Sequence, residues 1–146
     1  HVGYMSHKTG PGHNDFSRQI PIYIDPLTRG TIWLKPVFVL VNQGVYSAAN
    51  DFVLRLKGLP HVRIIGVKTG GGAGLPMSSE LPNGWGIRFS ASRTYDTAGK
   101  DVEFGIEPDI KVEGELKRTD EKDLFIDASA RLLTVWIKAI KKHLKK

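Results

Sequence analysis

A hydroxyl at the boundary between a buried strand and a helix is the group in this chain best placed for chemistry. In Val41-Asn42-Gln43-Gly44-Val45-Tyr46-Ser47-Ala48-Ala49-Asn50-Asp51-Phe52 the apolar run stops at Asn42, and helical spacing takes over from Tyr46. Ser47 therefore stands at the C-terminal end of a strand, where open α/β sheets gather ligands, and at a helix start with free N–H groups. A serine hydroxyl in that position can attack a carbonyl, and the N–H of Ala48 is the adjacent donor for the oxyanion that forms. The same residue also reads as a plain N-cap, its oxygen accepting from the first helical turn. Local sequence leaves both open.

Other side chains with chemical potential lie on either side. His7 and His13 flank a glycine-containing loop with Asp15 two residues on. Imidazole has a suitable pKa for a base toward Ser47, but the spacing matches no standard zinc pattern, and no metal site is expected. Loop histidines that satisfy turns or border a groove are the plainer alternative. Arg88 and Arg93 offer guanidinium groups that can meet a substrate carboxylate, or simply face water.

The elements that must position Ser47 follow from apolar patterning. Pro36 to Asn42 is a continuous β-branched run suited to a strand buried on both faces, as parallel strands usually are. A helix with Ala49, Phe52, Val53 and Leu56 on its inner face follows, stopped by Gly58 and Pro60, and a second buried strand runs from Val62 to Val67. Strand, helix and strand at this spacing make a right-handed βαβ unit. Residues 5 to 19 show no periodicity and read as a long loop, and Gln19 to Asp25 as a short strand. Thr69 to Gly74 is too glycine-rich for regular structure and suits close backbone approach. Asn83-Gly84 marks a hairpin ahead of a strand over Trp85 to Ala91. Tyr95 to Lys100 is a turn, and Ile110 to Val112 a short strand. A long amphipathic helix, capped at Thr119 or Asp120, carries Leu124, Ala128, Leu132, Trp136, Ile140 and Leu144 at four-residue spacing.

Taken in order, the buried strand, Ser47-Ala48-Ala49, Ile65-Gly66, Thr69-Gly70-Gly71-Gly72, Leu81-Pro82-Asn83-Gly84 and Gly105-Ile106-Glu107-Pro108-Asp109 resemble the tail-specific (C-terminal processing) and tricorn-core serine peptidases and their retinoid-binding relatives. The resemblance covers about residues 36 to 112. It implies an α/β fold of crotonase or Clp-protease type, with ββα units on a mixed sheet and a long C-terminal helix. It also implies Ser47 as nucleophile, Ala48 as oxyanion donor, and Gly70, Gly71 and Gly72 beside an extended peptide. The lysine base of the tail-specific branch is replaced here by Gly72, and Lys68 is a poor substitute. In the tricorn-like branch the base is a histidine upstream of the nucleophile, which would lie before His1. That branch adds a carboxylate shortly before the Gly-Ile-Glu-Pro-Asp stretch, and Glu103 is the nearest match, one residue out of register. An exposed strand-end glutamate is its alternative. The resemblance further implies a peptide or unfolded protein as substrate, no cofactor, and an extracytoplasmic location. A non-catalytic, lipophilic-ligand-binding module of the same fold is the rival.

At 146 residues, two-fifths of them apolar, one core and a single domain over 1–146 are expected, the C-terminal part of a larger catalytic domain. The net charge of +6 comes from the chain's end, where Lys138, Lys141, Lys142, His143, Lys145 and Lys146 complement a helix C-terminus. No aromatic and basic interleaving points to nucleic acid. The absence of cysteine excludes disulfides and thiol catalysis, and no apolar run is long enough for a membrane span. A homo-oligomer formed by exchange of strands or helices is a further possibility.

Overall fold

The computed structural model describes residues 1–26, 28–112 and 124–143. In chain order the elements are β1 (Gly3–His7), β2 (Ile20–Ile22), β3 (Val37–Val41), α1 (Ala48–Leu56), β4 (Val62–Gly66), β5 (Pro76–Glu80), β6 (Gly86–Ser90), β7 (Ser92–Tyr95), β8 (Ile110–Lys111) and α2 (Leu124–His143). They make a mixed α/β fold with a parallel sheet β3-β4-β8, an antiparallel sheet β2-β1-β7 and the β5-β6 ribbon.

The parallel sheet is the βαβ unit that its β-branched runs dictate. Val37 pairs with Val62 and Val41 with Gly66, and α1 makes the crossover. β4 is the central strand, with Ile64 and Ile65 fully buried. Burial on both faces holds for β4 and not for β3. With β8 on the far side of β4, β3 is an edge strand, and Leu40 is 40% exposed. The core gathers Val41, Val53, Leu54, Val62, Ile64, Ala73, Val102 and Ile106.

The inner face of α1 is also rotated from the apolar pattern. Asn50, Val53 and Leu54 are buried, whereas Phe52 is 57% exposed. The cause is a polar network that apolar periodicity cannot register. The Thr69 hydroxyl donates to Asn50 Oδ1 at 2.6 Å and accepts from the Ile106 N–H at 2.7 Å, while Asn50 Nδ2 donates to the Val102 carbonyl. Buried polar groups hold their place only when they are paired, so this network fixes the helix about its axis. Thr69→Val strips both partners of their bond and is expected to lower stability by about 2–4 kcal/mol, read as a fall in denaturant midpoint with unchanged slope. Thr69→Ser, which keeps the hydroxyl, is expected to lose less than about 1.5 kcal/mol.

Residues 5 to 19 are not all loop. β1 pairs with β2 on one side and β7 on the other, so sheet neighbours rather than composition make Gly3–His7 a strand. β5, likewise unmarked by periodicity, pairs with β6 around the Asn83-Gly84 turn, where Gly84 has φ 84°. The helix start expected at Thr119 or Asp120, and Leu144, lie outside the described residues. Within α2, Leu132 is half-buried. No helix among the described residues is long and apolar enough to cross a membrane. At the surface, Lys111 binds the Glu107 carboxylate at 3.1 Å and holds that carboxyl below its ordinary value.

Candidate active site

Ser47 holds a backbone conformation that side chains rarely adopt. It has φ 56° and ψ −123°, and among the described residues no other non-glycine residue has a positive φ. A side chain in that region is strained by about 1–3 kcal/mol and persists only where its surroundings over-determine it. The strained strand-to-helix turn that raises a serine out of an α/β sheet is built in the same way. Ser47 is exposed, and although it occupies the N-cap position its side chain makes no cap hydrogen bond. The N-cap alternative therefore fails on geometry.

The glycine loop supplies the over-determination. Gly70 N–H donates to the Val45 carbonyl at 2.9 Å, and Ser47 N–H to the Gly71 carbonyl at 2.8 Å, so the loop pairs in parallel with the turn that carries Ser47. From behind, Gly72 N–H donates to the Glu103 carbonyl at 2.8 Å, and Thr69 N–H to the Ile106 carbonyl at 3.1 Å. A Cβ on Gly70 would run into the Gln43 carbonyl, on Gly71 into the Glu103 carbonyl, and on Gly72 into the Tyr46 ring. Gly105-Ile106-Glu107-Pro108-Asp109 buckles this brace to β4: Asp109 accepts from the Ile64 N–H at 2.9 Å and pairs with Lys57 at 3.2 Å.

Ser47 opens on a cleft of about 160 Å³ lined by Met5, Ala48, Asp51, Gly72, Ala73, Gly74, Leu75, Pro76 and Thr94. Ala48 is the first residue of α1, so its N–H has no acceptor within the helix, and the residue lines the same cleft as Ser47. Of the three glycines expected beside a peptide, Gly72 lines the cleft; Gly70 and Gly71 do not, and the N–H groups of Gly70 and Gly72 are spent internally. Asp51 is a carboxylate that sequence reasoning missed. Its Oδ2 takes a hydrogen bond from Arg55 at 3.4 Å, and its Oδ1 is buried with no partner. The signal was available: Asp51 lies in the first turn of the helix that Ser47 opens.

Glu103 is not brought to Ser47. Its main chain is tied down by Asp101 Oδ1 and Gly72 N–H, and it lines a second cleft of about 470 Å³ that shares no lining residue with the Ser47 cleft. His13 and Arg93 line that second cleft too, whereas Lys68 and Arg88 are exposed and line neither. Asp15 accepts from the Gly12 N–H at 2.6 Å instead of joining the histidines, and among the described residues no three His, Asp or Glu side chains converge as a metal requires.

Residues 4–112, a span that holds Ser47, the glycine loop and the Asp109 buckle, match the profile of peptidase family S41. The chain belongs to this family. A chloroplastic C-terminal processing peptidase from Tetradesmus obliquus is 31% identical over 86 residues, which are 58% of this chain and 18% of its own. Among solved structures, a candidate peptidase from Parabacteroides merdae superposes with a TM-score of 0.83 at 48% identity, over 90% of this chain and 42% of its own. Mature CPAF complexed with lactacystin superposes with a TM-score of 0.59 at 27% identity, over 66% of this chain and 20% of its own. The chain thus spans 18% of the length of the curated relatives it matches.

Proposed function

We propose that this chain carries the nucleophile of a serine endopeptidase acting on peptides or unfolded protein. The observation that carries this is the strained φ of Ser47, held on an open cleft with its hydroxyl free of any capping bond. Ser47 Oγ attacks the scissile carbonyl, its proton passes to a base, and the oxyanion of the tetrahedral intermediate accepts from Ala48 N–H. Collapse expels the amine and leaves an ester on Ser47, which water then hydrolyses. The base is taken to be a histidine upstream of this chain, as the tricorn-like resemblance implies. We place its carboxylate support on Asp51, which shares the cleft with Ser47, ahead of Glu103, which lines the larger cleft. Main-chain recognition of an extended substrate falls to Gly72, Ala73 and Gly74, which border the hydroxyl, in place of Gly70 and Gly71.

The rival, a module binding lipophilic ligands, has less support. Sites for such ligands run to roughly 300–1,000 Å³ and are mostly apolar. The Ser47 cleft, at about 160 Å³, is smaller, and the larger cleft, at about 470 Å³, has Lys8, Arg93, Asp101 and Glu103 among its lining residues beside Phe16 and Phe104.

Treating the full-length protein with a fluorophosphonate probe tests the proposal. One label is expected on the peptide that contains Ser47, and none in Ser47→Ala. Equal labelling of the variant removes Ser47 as nucleophile.

A further inference from the structure

The β5-β6 ribbon sorts its side chains by face. Met77 stands opposite Phe89 and Ser79 opposite Ile87, and directly opposed residues share a face. The Leu81 N–H donates to the Trp85 carbonyl at 2.8 Å and the Ala91 N–H to the Leu75 carbonyl at 2.9 Å, which carries the same register to both ends. One face therefore holds Leu75, Met77, Leu81, Trp85, Ile87 and Phe89, and the other Ser78, Glu80, Arg88 and Ser90. In an antiparallel sheet the apolar face ordinarily lies on the core. Here every residue of both strands is exposed, and the six apolar side chains are exposed at between 38% and 70%. With about 200 Å² for a large side chain, they leave on the order of 600 Å² open, the upper end of what a monomer shows and often functional.

Size and shape say what covers this face. It falls short of the about 800 Å² that a standard interface takes from each folded partner, and at two strands wide and about 20 Å long it matches one extended chain. The ribbon also offers that chain an open edge. Ladder bonds alternate along an antiparallel pair, so Leu75, Met77, Ser79 and Leu81 bond toward β6, and the main-chain groups of Ser78 and Glu80 point away from it. Among the described residues β5 pairs with β6 alone. Pro76, which has no N–H to give a ladder, precedes Ser78 on the open side, where a proline costs no bond. Leu75, first on the apolar face, and Pro76, first on the open edge, both line the Ser47 cleft. Face and edge thus begin at the cleft that holds the nucleophile.

We infer that the ribbon is an exosite that takes, as a third strand on β5, a stretch of unfolded polypeptide with apolar side chains at alternate positions. Main-chain pairing holds any sequence, and alternation sends every second side chain of the bound stretch onto the apolar face beside Leu75, Met77 and Leu81. Flexible and aromatic side chains such as Met77 and Trp85 adapt to what they meet. The inference rests on the peptidase reading for the ligand being a polypeptide, and deepens it by naming the chemistry selected away from the scissile bond.

The test uses the full-length protein carrying Ser47→Ala, so that no ligand is consumed, and fluorescent peptides of one length with both ends blocked. A peptide in which leucine alternates with serine is expected to bind about 10- to 100-fold tighter than its all-serine counterpart, the size of two leucine side chains partly buried. Met77→Ser together with Phe89→Ser should bring that ratio near one, and Arg88→Ala, on the opposite face, should leave it unchanged. Equal binding of the two peptides to the parent, or a ratio that survives the double substitution, overturns the inference. A doubly substituted protein that loses stability as a core deletion would overturns it as well, by showing that the protein's own chain covers the face. So does a parent that sediments as a dimer and a double variant that sediments as a monomer, which assigns the face to a second copy. Loss of the exosite leaves fluorophosphonate labelling at Ser47 untouched, and absence of labelling leaves the peptide ratio untouched, so the two ideas fail separately.

Discussion

Ser47→Gly is expected to make the protein more stable and chemically inert at once. At φ 56° and ψ −123° a Cβ is strained, and glycine occupies the region at little steric cost. Removing that strain should raise stability by about 1–2 kcal/mol, less the extra backbone freedom that glycine brings to the unfolded chain. Ser47→Ala keeps the Cβ and with it the strain, so its unfolding midpoint should stay near the parent value. Both variants should lose fluorophosphonate labelling, and peptide cleavage by at least about 10⁴-fold, the scale on which nucleophile loss is felt. Two melting curves and one labelling gel decide it. A glycine variant no more stable than the alanine variant would mean that the turn stores nothing, and the backbone at Ser47 would no longer favour its reading as a nucleophile. Natural sequences retain residues of this kind where function outweighs stability.

What could be read from the chain, and what could not, divides along physical lines. Local signals survived: the β-branched runs of β3 and β4, the helix that begins after Ser47, and the Asn83-Gly84 turn all stand where patterning puts them. Features set by distant neighbours did not. β1 is a strand because β2 and β7 flank it, and β3 is an edge because β8 returns to the far side of β4. The axis of α1 is set by Thr69, nineteen residues from Asn50. The site divides in the same way. The position of Ser47 and Ala48 was legible, since strand end and helix start are local facts. The strain at Ser47 was not, because the turn is held by hydrogen bonds from Gly70 N–H to the Val45 carbonyl and from Ser47 N–H to the Gly71 carbonyl. Glu103 was chosen by its distance in sequence from the Asp109 motif, and that distance does not say which cleft it lines.

If the glycine loop braces the nucleophile, Gly71→Ala should be the most damaging single-methyl addition in the loop. Gly71 has φ 80°, and its new Cβ would overlap the Glu103 carbonyl oxygen and lie 2.7 Å from the Gly105 nitrogen. Both neighbours are main chain and cannot rotate away. The carbonyl of Gly71 also holds the Ser47 N–H, so any shift that relieves the clash moves the nucleophile. The expected loss is about 3 kcal/mol or more in stability. In protein still folded at low temperature, labelling at Ser47 should slow by roughly 100-fold, because misplacing a reacting group by an ångström is enough for that. Gly72→Ala provides the contrast. Its Cβ would strike the Tyr46 ring, a side chain that can be trimmed, so Tyr46→Ala should recover part of the stability lost in Gly72→Ala, and no such trimming should help Gly71→Ala. A Gly71→Ala protein within 1 kcal/mol of the parent and labelled at the parent rate would show that Ser47 keeps its geometry without the loop, and would leave the positive φ with no physical cause.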